Sequence, residues 1–461
     1  MKTKSVQGLW SNRWTFILAA TGSAVGLGNI WKFPYIAGEN GGGAFVLIYL
    51  LCIVLIGIPI MIAEVLLGKR GRRNPVNAVE NIAVENDASA SWRYIGGMGI
   101  LAGVLIMSFY SVVAGWALHY FLTTALGDYS GITGAQAGSA FGNLLGNPKT
   151  LLTWHSVFSF MTFAIVAAGV SKGLGSVARV MMPFLLVSLV VLLGYGIFAG
   201  EFLASLRFLF GFNFSAISVD SVLIALGHAF FTLSLGMGAI MAYGAYMPGD
   251  ACLGRTVLTV GVLDTVIALI AGLAIFPIVF ASPGIEPSSG PGLLFVSLPV
   301  AFGNMALGGL FGTLFFALVS VAAWSSSVSL IEPGVAWLIE NKQWRRATAS
   351  AFVTTIAWLI GILSVFSFNV LADFKPIWLL NFTPFDFFDF LTAQILLPLG
   401  GVLIAFFVAW VLPRKVFDAE LNTVSASSRA LLFFTLRYVS PLLVMLVMFF
   451  KLYETFFSVG V

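Results

Sequence analysis

The sequence is poor in residues that carry redox, metal and nucleophilic chemistry. Two cysteines occur in 461 residues, Cys52 within an apolar run and Cys252 beside "PGD". They offer neither a disulfide framework nor a metal-ligand spacing. Three histidines, His119, His155 and His228, stand in different segments with no triad or ligand spacing, which argues against a zinc site or an enzyme's catalytic cluster. Charge is equally scarce. Asp, Glu, Lys and Arg make up 9% of the chain, against about 25% in ordinary soluble domains, so a normally solvated surface is excluded.

What the chain has in abundance is apolar surface: 59% hydrophobic residues and a mean hydropathy of +1.00. Runs near the ~20 residues needed to cross a bilayer fall at 13–37, 43–68, 95–125, 151–170, 179–199, 220–247, 254–280, 305–339, 348–367, 390–412 and 430–457. This predicts an all-α membrane protein of eleven spans. Lys2, Lys4 and Arg13 before the first run resemble a signal peptide, yet the run is too long and lacks a small-residue cleavage site, so it reads as a mature span.

Placing the N-terminus in the cytoplasm puts eighteen of the 23 Lys and Arg on inner segments, among them "KRGRR" (69–73) and "KQWRR" (342–346). Lys32, Lys149, Arg207, Lys375 and Lys451 remain outside. The positive-inside rule favours this orientation, and the odd span count then puts the C-terminus outside. The expected setting is the lipid bilayer of the cell inner (plasma) membrane, crossed many times. A pI near 9 thus follows from topology, and no nucleic-acid partner is needed. The stretch 282–303 is apolar but interrupted by four prolines; it reads either as an outer loop folded back onto the protein or as a simple surface loop.

The first span contains "TGSAVGLGNIWKFP" (21–34), with Gly22, Gly26, Gly28 and Pro34. A break at membrane depth frees amides and carbonyls that cost several kcal/mol each unless they find partners. A counterpart, "FFTLSLGMGA" (230–239), brackets Met237 with Gly236 and Gly238 as Gly26 and Gly28 bracket Leu27. Each break lies in the first of five spans, so the two halves run in opposite directions. Paired discontinuous helices in inverted repeats point to a midplane binding site in a secondary transporter. Close helix packing is the alternative source of such glycines, but Asn29, Thr232 and Ser234 add polar side chains that a packing face does not require. Amides freed at a break favour a carboxylate, and freed carbonyls favour cations.

Further polar groups lie at membrane depth. Asp264 sits inside "VLTVGVLDTVIALIAGLAIF", and an ionisable residue there marks a functional site by default, usually an ion or proton path, unless it is a carboxyl bonded to helix backbone. Ser325, Ser326 and Ser327 occur together in "AAWSSSVSLIEP". Each is able to bond back to its own helix; together they offer oxygens suited to a hard cation such as sodium. Tyr110 in the third span is either a core aromatic or a hydroxyl waiting for a partner.

These motifs, "GSAVGLGNIWKFPY…ENGGGAF", "FFTLSLGMGA" and "SSSVSLIEP", together resemble the neurotransmitter:sodium symporter family, in particular its bacterial amino-acid members with eleven spans. The resemblance covers essentially the whole chain. It implies a LeuT-like fold, with 1–199 and 220–412 as inverted five-helix repeats with discontinuous helices 1 and 6, and 430–457 as an extra helix. It implies import of a neutral, mainly hydrophobic amino acid with two Na+ ions, by a protein that is a monomer or weak dimer.

Carried over by position, one sodium site would use Ala24, Asn29, Thr232 and Asp264 with the substrate carboxylate. The other would use Gly22, Val25 and Ala322 with Ser325 and Ser326. The substrate carboxylate would meet amides near Leu27 and Gly28 and the Tyr110 hydroxyl; its ammonium would face carbonyls of Ser23 and of residues 231–234. Ile106, Phe231, Ser234, Met237, Ser326 and Leu330 would line the side-chain pocket. Gly26 stands where monoamine carriers have an aspartate, so an amine lacking a carboxylate would find no counter-ion.

The departures from the family pattern are specific. In chloride-dependent relatives an anion sits beside the sodium site; here Tyr49 remains, but His228 replaces a glutamine, Asp264 a neutral ligand, and Ala268 stands where a chloride-independent relative has a glutamate. Asp264 supplies the missing charge, which predicts chloride independence. At the outer gate Lys32 replaces an arginine facing Asp389, with Asp386 as competitor, and lysine lacks the bidentate fork. At the inner gate Glu340 is kept, Gln7 replaces an arginine for which Lys4 is a possible substitute, and Trp10 plugs the vestibule. Gly173 and Pro183 have the Gly-x9-Pro spacing at which relatives unwind helix five. A channel or non-transporting amino-acid sensor on the same fold is the alternative function.

Overall fold

The computed structural model describes residues 8–282, 291–375 and 381–457. Among them no strand forms apart from an isolated bridge between Gly42 and Phe212. Nine continuous helices are long and apolar enough to cross a membrane. Eleven spans were expected; the pieces of the two broken segments are individually too short to count among the nine found in the described residues.

The first broken segment comprises α1 (Arg13–Ala24), a π turn at Gly28–Lys32 and α2 (Phe33–Glu39). Asn12 caps α1 by accepting from Thr15 N at 2.9 Å. The helix stops because Val25 turns extended, at φ −74° and ψ 97°. The second comprises α3 (Val219–Thr232) and α4 (Ala239–Ala245). Between them Ser234, Gly236 and Gly238 have φ of 54°, 81° and 73°, a left-handed path that glycine takes without a Cβ clash. A Cβ on Gly236 would lie 2.2 Å from Leu397 O, so that position has room only for glycine.

The freed amides find partners, as a break in hydrocarbon requires. Gly236 N donates to Glu64 Oε1 at 2.6 Å. Gly26 N donates to Asn29 Oδ1 at 3.4 Å, and Leu27 N faces Tyr110 Oη at 3.5 Å. The two breaks also touch: Ser234 Oγ donates to Ser23 O at 3.0 Å and Thr232 Oγ1 to Asn29 Oδ1 at 3.1 Å.

Of the proline-interrupted stretch, 283–290 lies outside the described residues. Residues 293–304 form a helix folded back into the bundle, with Leu293, Leu294, Phe295, Leu298 and Ala301 fully buried. At that end of the molecule Gly131 N donates to Gly303 O at 2.9 Å.

The fifth span is wound. Val170–Gly175 is a π turn running directly into Ser176–Ala199, which contains Pro183. The unwinding expected from Gly173 and Pro183 is therefore not the state seen here: Gly173 N donates to Gly169 O at 2.9 Å.

Candidate functional site

A narrow cavity of about 30 Å³ lies between the two breaks. Its wall contains every residue expected to line a substrate site: Ser23, Ala24, Leu27, Gly28, Ile106, Tyr110, Phe231, Thr232, Ser234, Met237, Ser326 and Leu330. Gly26 and Ser329 complete it. One side is apolar, from Ile106, Phe231, Met237 and Leu330. The other presents backbone and hydroxyls. No charged side chain lines the cavity.

Beside it, Asn29, Thr232 and Asp264 form one buried cluster. Asn29 Nδ2 donates to Asp264 Oδ1 at 2.8 Å and to its backbone oxygen at 3.2 Å. Thr232 Oγ1 lies 3.3 Å from Asp264 Oδ2. A second cluster joins the first break to helix Gly308–Lys342: Ser325 Oγ donates to Gly22 O at 2.8 Å and Ala322 O at 2.9 Å. Ser326 Oγ is 3.3 Å from both Gly22 O and Val25 O. Both clusters consist of hard oxygen donors, the chemistry that suits an alkali cation. The side-chain members of both expected sodium sets are thus brought together by the fold.

Phe231 forms a wall of this cavity and of a wider one, about 260 Å³, that also contains Trp31, Lys32, Tyr35, Trp116, Phe385 and Asp389. Lys32 Nζ sits over the Phe231 ring, 4.8 Å from its centroid. Lys32 and Asp389, expected to face each other at the outer gate, share this cavity; no salt-bridge contact between them occurs among the described residues. The lysine's ammonium engages the Phe231 ring. Asp386 is no competitor, because its carboxylate accepts from Thr383 N and Oγ1 at 3.1 and 2.7 Å in a helix cap.

At the opposite end Trp10 is buried, donating from Nε1 to Tyr243 O at 3.1 Å and packing edge-on to Tyr243 and Tyr246. Glu340 accepts from Asn74 N and Nδ2 at 2.9 and 2.8 Å, with Arg73 at 3.9 Å. Gln7 and Lys4, named as possible partners of Glu340, lie outside the described residues. His228 packs against the rings of Phe33 and Tyr49, at 6.0 and 5.4 Å, and neither ring nitrogen has a hydrogen-bond partner among the described residues.

The sequence reading missed three contributors. Ser329 accepts from Ser23 Oγ at 2.7 Å; its signal was the three-residue spacing from Ser326, which places both on one helix face. Glu64, which holds the second break, was visible as a lone carboxyl in an apolar span. Glu332 is fully buried, paired with Arg346, and accepts from Tyr246 Oη at 2.8 Å.

The family model for the sodium:neurotransmitter symporter family matches residues 7–129 and 144–458. The chain belongs to the sodium:neurotransmitter symporter family. Like other members of this family it is a multi-pass, sodium-dependent transporter and not an enzyme. Among symporter relatives, an uncharacterized sodium-dependent transporter of Bacillus subtilis, YhdH, is 37% identical over 441 residues, 95% of this chain and 96% of that protein. One from Haemophilus influenzae is 30% identical, with 95% and 96% covered. The crystal structure of MhsT in complex with L-phenylalanine superposes with a TM-score of 0.87 at 41% identity. The match covers 96% of this chain and 99% of that one, and the fold is therefore the LeuT-like fold.

Proposed function

We propose that this transporter is a symporter that imports neutral, mainly hydrophobic L-amino acids with sodium and without chloride, by alternating access. The observation that carries this reading is the cavity at the two breaks, apolar on one side and lined by freed backbone on the other, with no fixed charge. A zwitterion brings its own carboxylate and ammonium to such a site, and an uncharged side chain fits the apolar wall. The likeness to MhsT, solved with L-phenylalanine, supports the same substrate class.

Two oxygen clusters support two sodium ions. Each ion entering down ~100 mV contributes about 2.3 kcal/mol, and a tenfold concentration ratio about 1.4 kcal/mol more. Two ions then supply roughly 7 kcal/mol, enough for about 10⁵-fold accumulation of a zwitterion. Chloride independence rests on Asp264, which supplies negative charge beside Asn29 and Thr232, and on His228, whose ring packs against Tyr49 where chloride-dependent relatives hold an anion.

In this reading 1–199 and 220–412 are inverted repeats, the Trp10 end faces the cytoplasm and the Lys32 end the outside. Trp10 and Glu340 belong to the inner gate, Lys32 and Phe231 to the outer. Unwinding at Gly173 and Pro183 belongs to the inward-open state. The chain works as a monomer or weak dimer. Uptake into proteoliposomes under an inward sodium gradient tests the function. Accumulation of neutral amino acids above the external concentration is expected; binding without accumulation would instead mark a sensor, and equilibration without concentration a channel.

A further inference from the structure

At the Trp10 end, helix Ala426–Phe456 carries an arginine in a membrane-spanning segment without an acidic partner among the described residues. Arg437 is half-buried and, among the described residues, belongs to no ion pair and has no hydrogen-bond partner at Nε. Its guanidinium lies 4.2 Å from the Trp410 ring centroid, 5.6 Å from that of Tyr438 and 5.9 Å from that of Phe433. Arg414 approaches the same Phe433 ring, at 5.0 Å.

The level of this cluster follows from Trp410. It is the penultimate residue of helix Pro384–Val411, and its Nε1 donates to Arg437 O at 3.1 Å. Trp410 and Tyr438 are each 47% exposed, with Phe406 and Phe434 exposed beside them. An exposed Trp at a helix end, with the exposed Tyr438 ring against it at 5.6 Å, marks the membrane–water boundary, so the arginine reaches the headgroup level, as long cationic side chains do. The same end holds Lys69, paired with Glu420 at 3.3 Å.

Local acid does not neutralise the cluster. Asp418 is shared between Arg414 at 3.5 Å and Arg429 at 3.1 Å, which leaves Arg437 uncompensated. Aromatic faces attract the guanidinium but carry no net charge. A basic cluster between helices at the membrane surface is matched by an anionic headgroup. We propose that Arg437, with Arg414, binds the phosphate of an anionic phospholipid, whose acyl chains lie along the face formed by Phe406, Phe434 and Tyr438.

Native mass spectrometry of the full chain, released from detergent holding equal amounts of phosphatidylglycerol and phosphatidylcholine, tests this. The wild type is expected to retain one phosphatidylglycerol about fivefold better than phosphatidylcholine, the order of effect of one basic residue at an anionic surface. Arg437→Gln should abolish the preference, and Arg437→Lys should keep part of it. Arg414→Gln, at an exposed position of a short helix, should weaken it and serves as the variant least prone to misfold. Equal retention of the two lipids by wild type, or an intact preference in both glutamine variants, would overturn the proposal. So would displacement of the lipid by millimolar inorganic phosphate, which would assign the site to free phosphate.

Discussion

Asn29 Nδ2 and Asp264 Oδ1 are 2.8 Å apart in the fully buried interior, joining the first broken segment to helix Leu253–Phe280. The bond ties a carboxylate to the place where freed backbone oxygens are available for a cation. Removing that charge while keeping the shape is therefore informative. Wild-type uptake should be equal in chloride and gluconate. Asp264→Asn should weaken sodium activation by about tenfold or more, in line with ~1.5–3 kcal/mol for a charged hydrogen bond, and should be stimulated by chloride. A chloride requirement in wild type, with no chloride stimulation in the variant, would sink the assignment.

Gly26 has no space for a side chain. A Cβ there would lie 2.5 Å from Ser326 Oγ and 3.0 Å from Tyr110 Oη. Gly26→Ala should weaken binding of labelled phenylalanine or leucine about tenfold or more, consistent with ~1–3 kcal/mol for overpacking. Gly26→Asp should bind less still. Equilibrium binding to purified protein checks both, and unchanged affinity in Gly26→Ala would remove this glycine from the substrate site.

Lys32 rests on Phe231, which with Leu27, Gly28 and Tyr110 lines both cavities. Lys32→Gln should speed release of a bound amino acid, by about two- to thirtyfold for a cation–π contact of ~0.5–2 kcal/mol. Asp389→Asn should have the smaller effect, since no Lys32–Asp389 ion pair occurs among the described residues. Dissociation rates of prebound labelled substrate rank the two, and the reverse order would show that the carboxylate is the working latch.

Glu332 and Arg346 form a buried ion pair. Glu332→Gln should destabilise the protein by about 3–5 kcal/mol, because a buried guanidinium loses its counter-charge. The double variant Glu332→Gln/Arg346→Gln should lose less than the sum of the two single changes. Thermal unfolding of the four proteins in one detergent reads the coupling, and strict additivity would contradict it.

Much of the site was legible because its residues have few other reasons to occur as they do. Glycines bracketing Leu27 and Met237 are poor choices for a continuous helix, and Asn29, Thr232, Asp264 and Ser325 are costly in hydrocarbon without a task. The partners that make these features stable were harder to see. Glu64 and Gly236 are 172 residues apart, and no periodicity connects them. For Lys32 the family resemblance offered two carboxylates; Asp386 is committed to its own helix cap, and the ammonium also meets an aromatic face that no sequence pattern announced.

The sequence by itself determined that the chain lives in a membrane, where its helices run and where two of them break. Apolar runs of spanning length and interrupting glycines act locally, through hydrophobic transfer and backbone conformation, and so can be read along one dimension. Only the tertiary structure decided which groups meet at the breaks, that the fifth span is wound through Gly173, and that Arg437 lies among aromatic rings. Those outcomes depend on distances between helices remote in sequence, where a difference of one ångström separates a bond from a cavity.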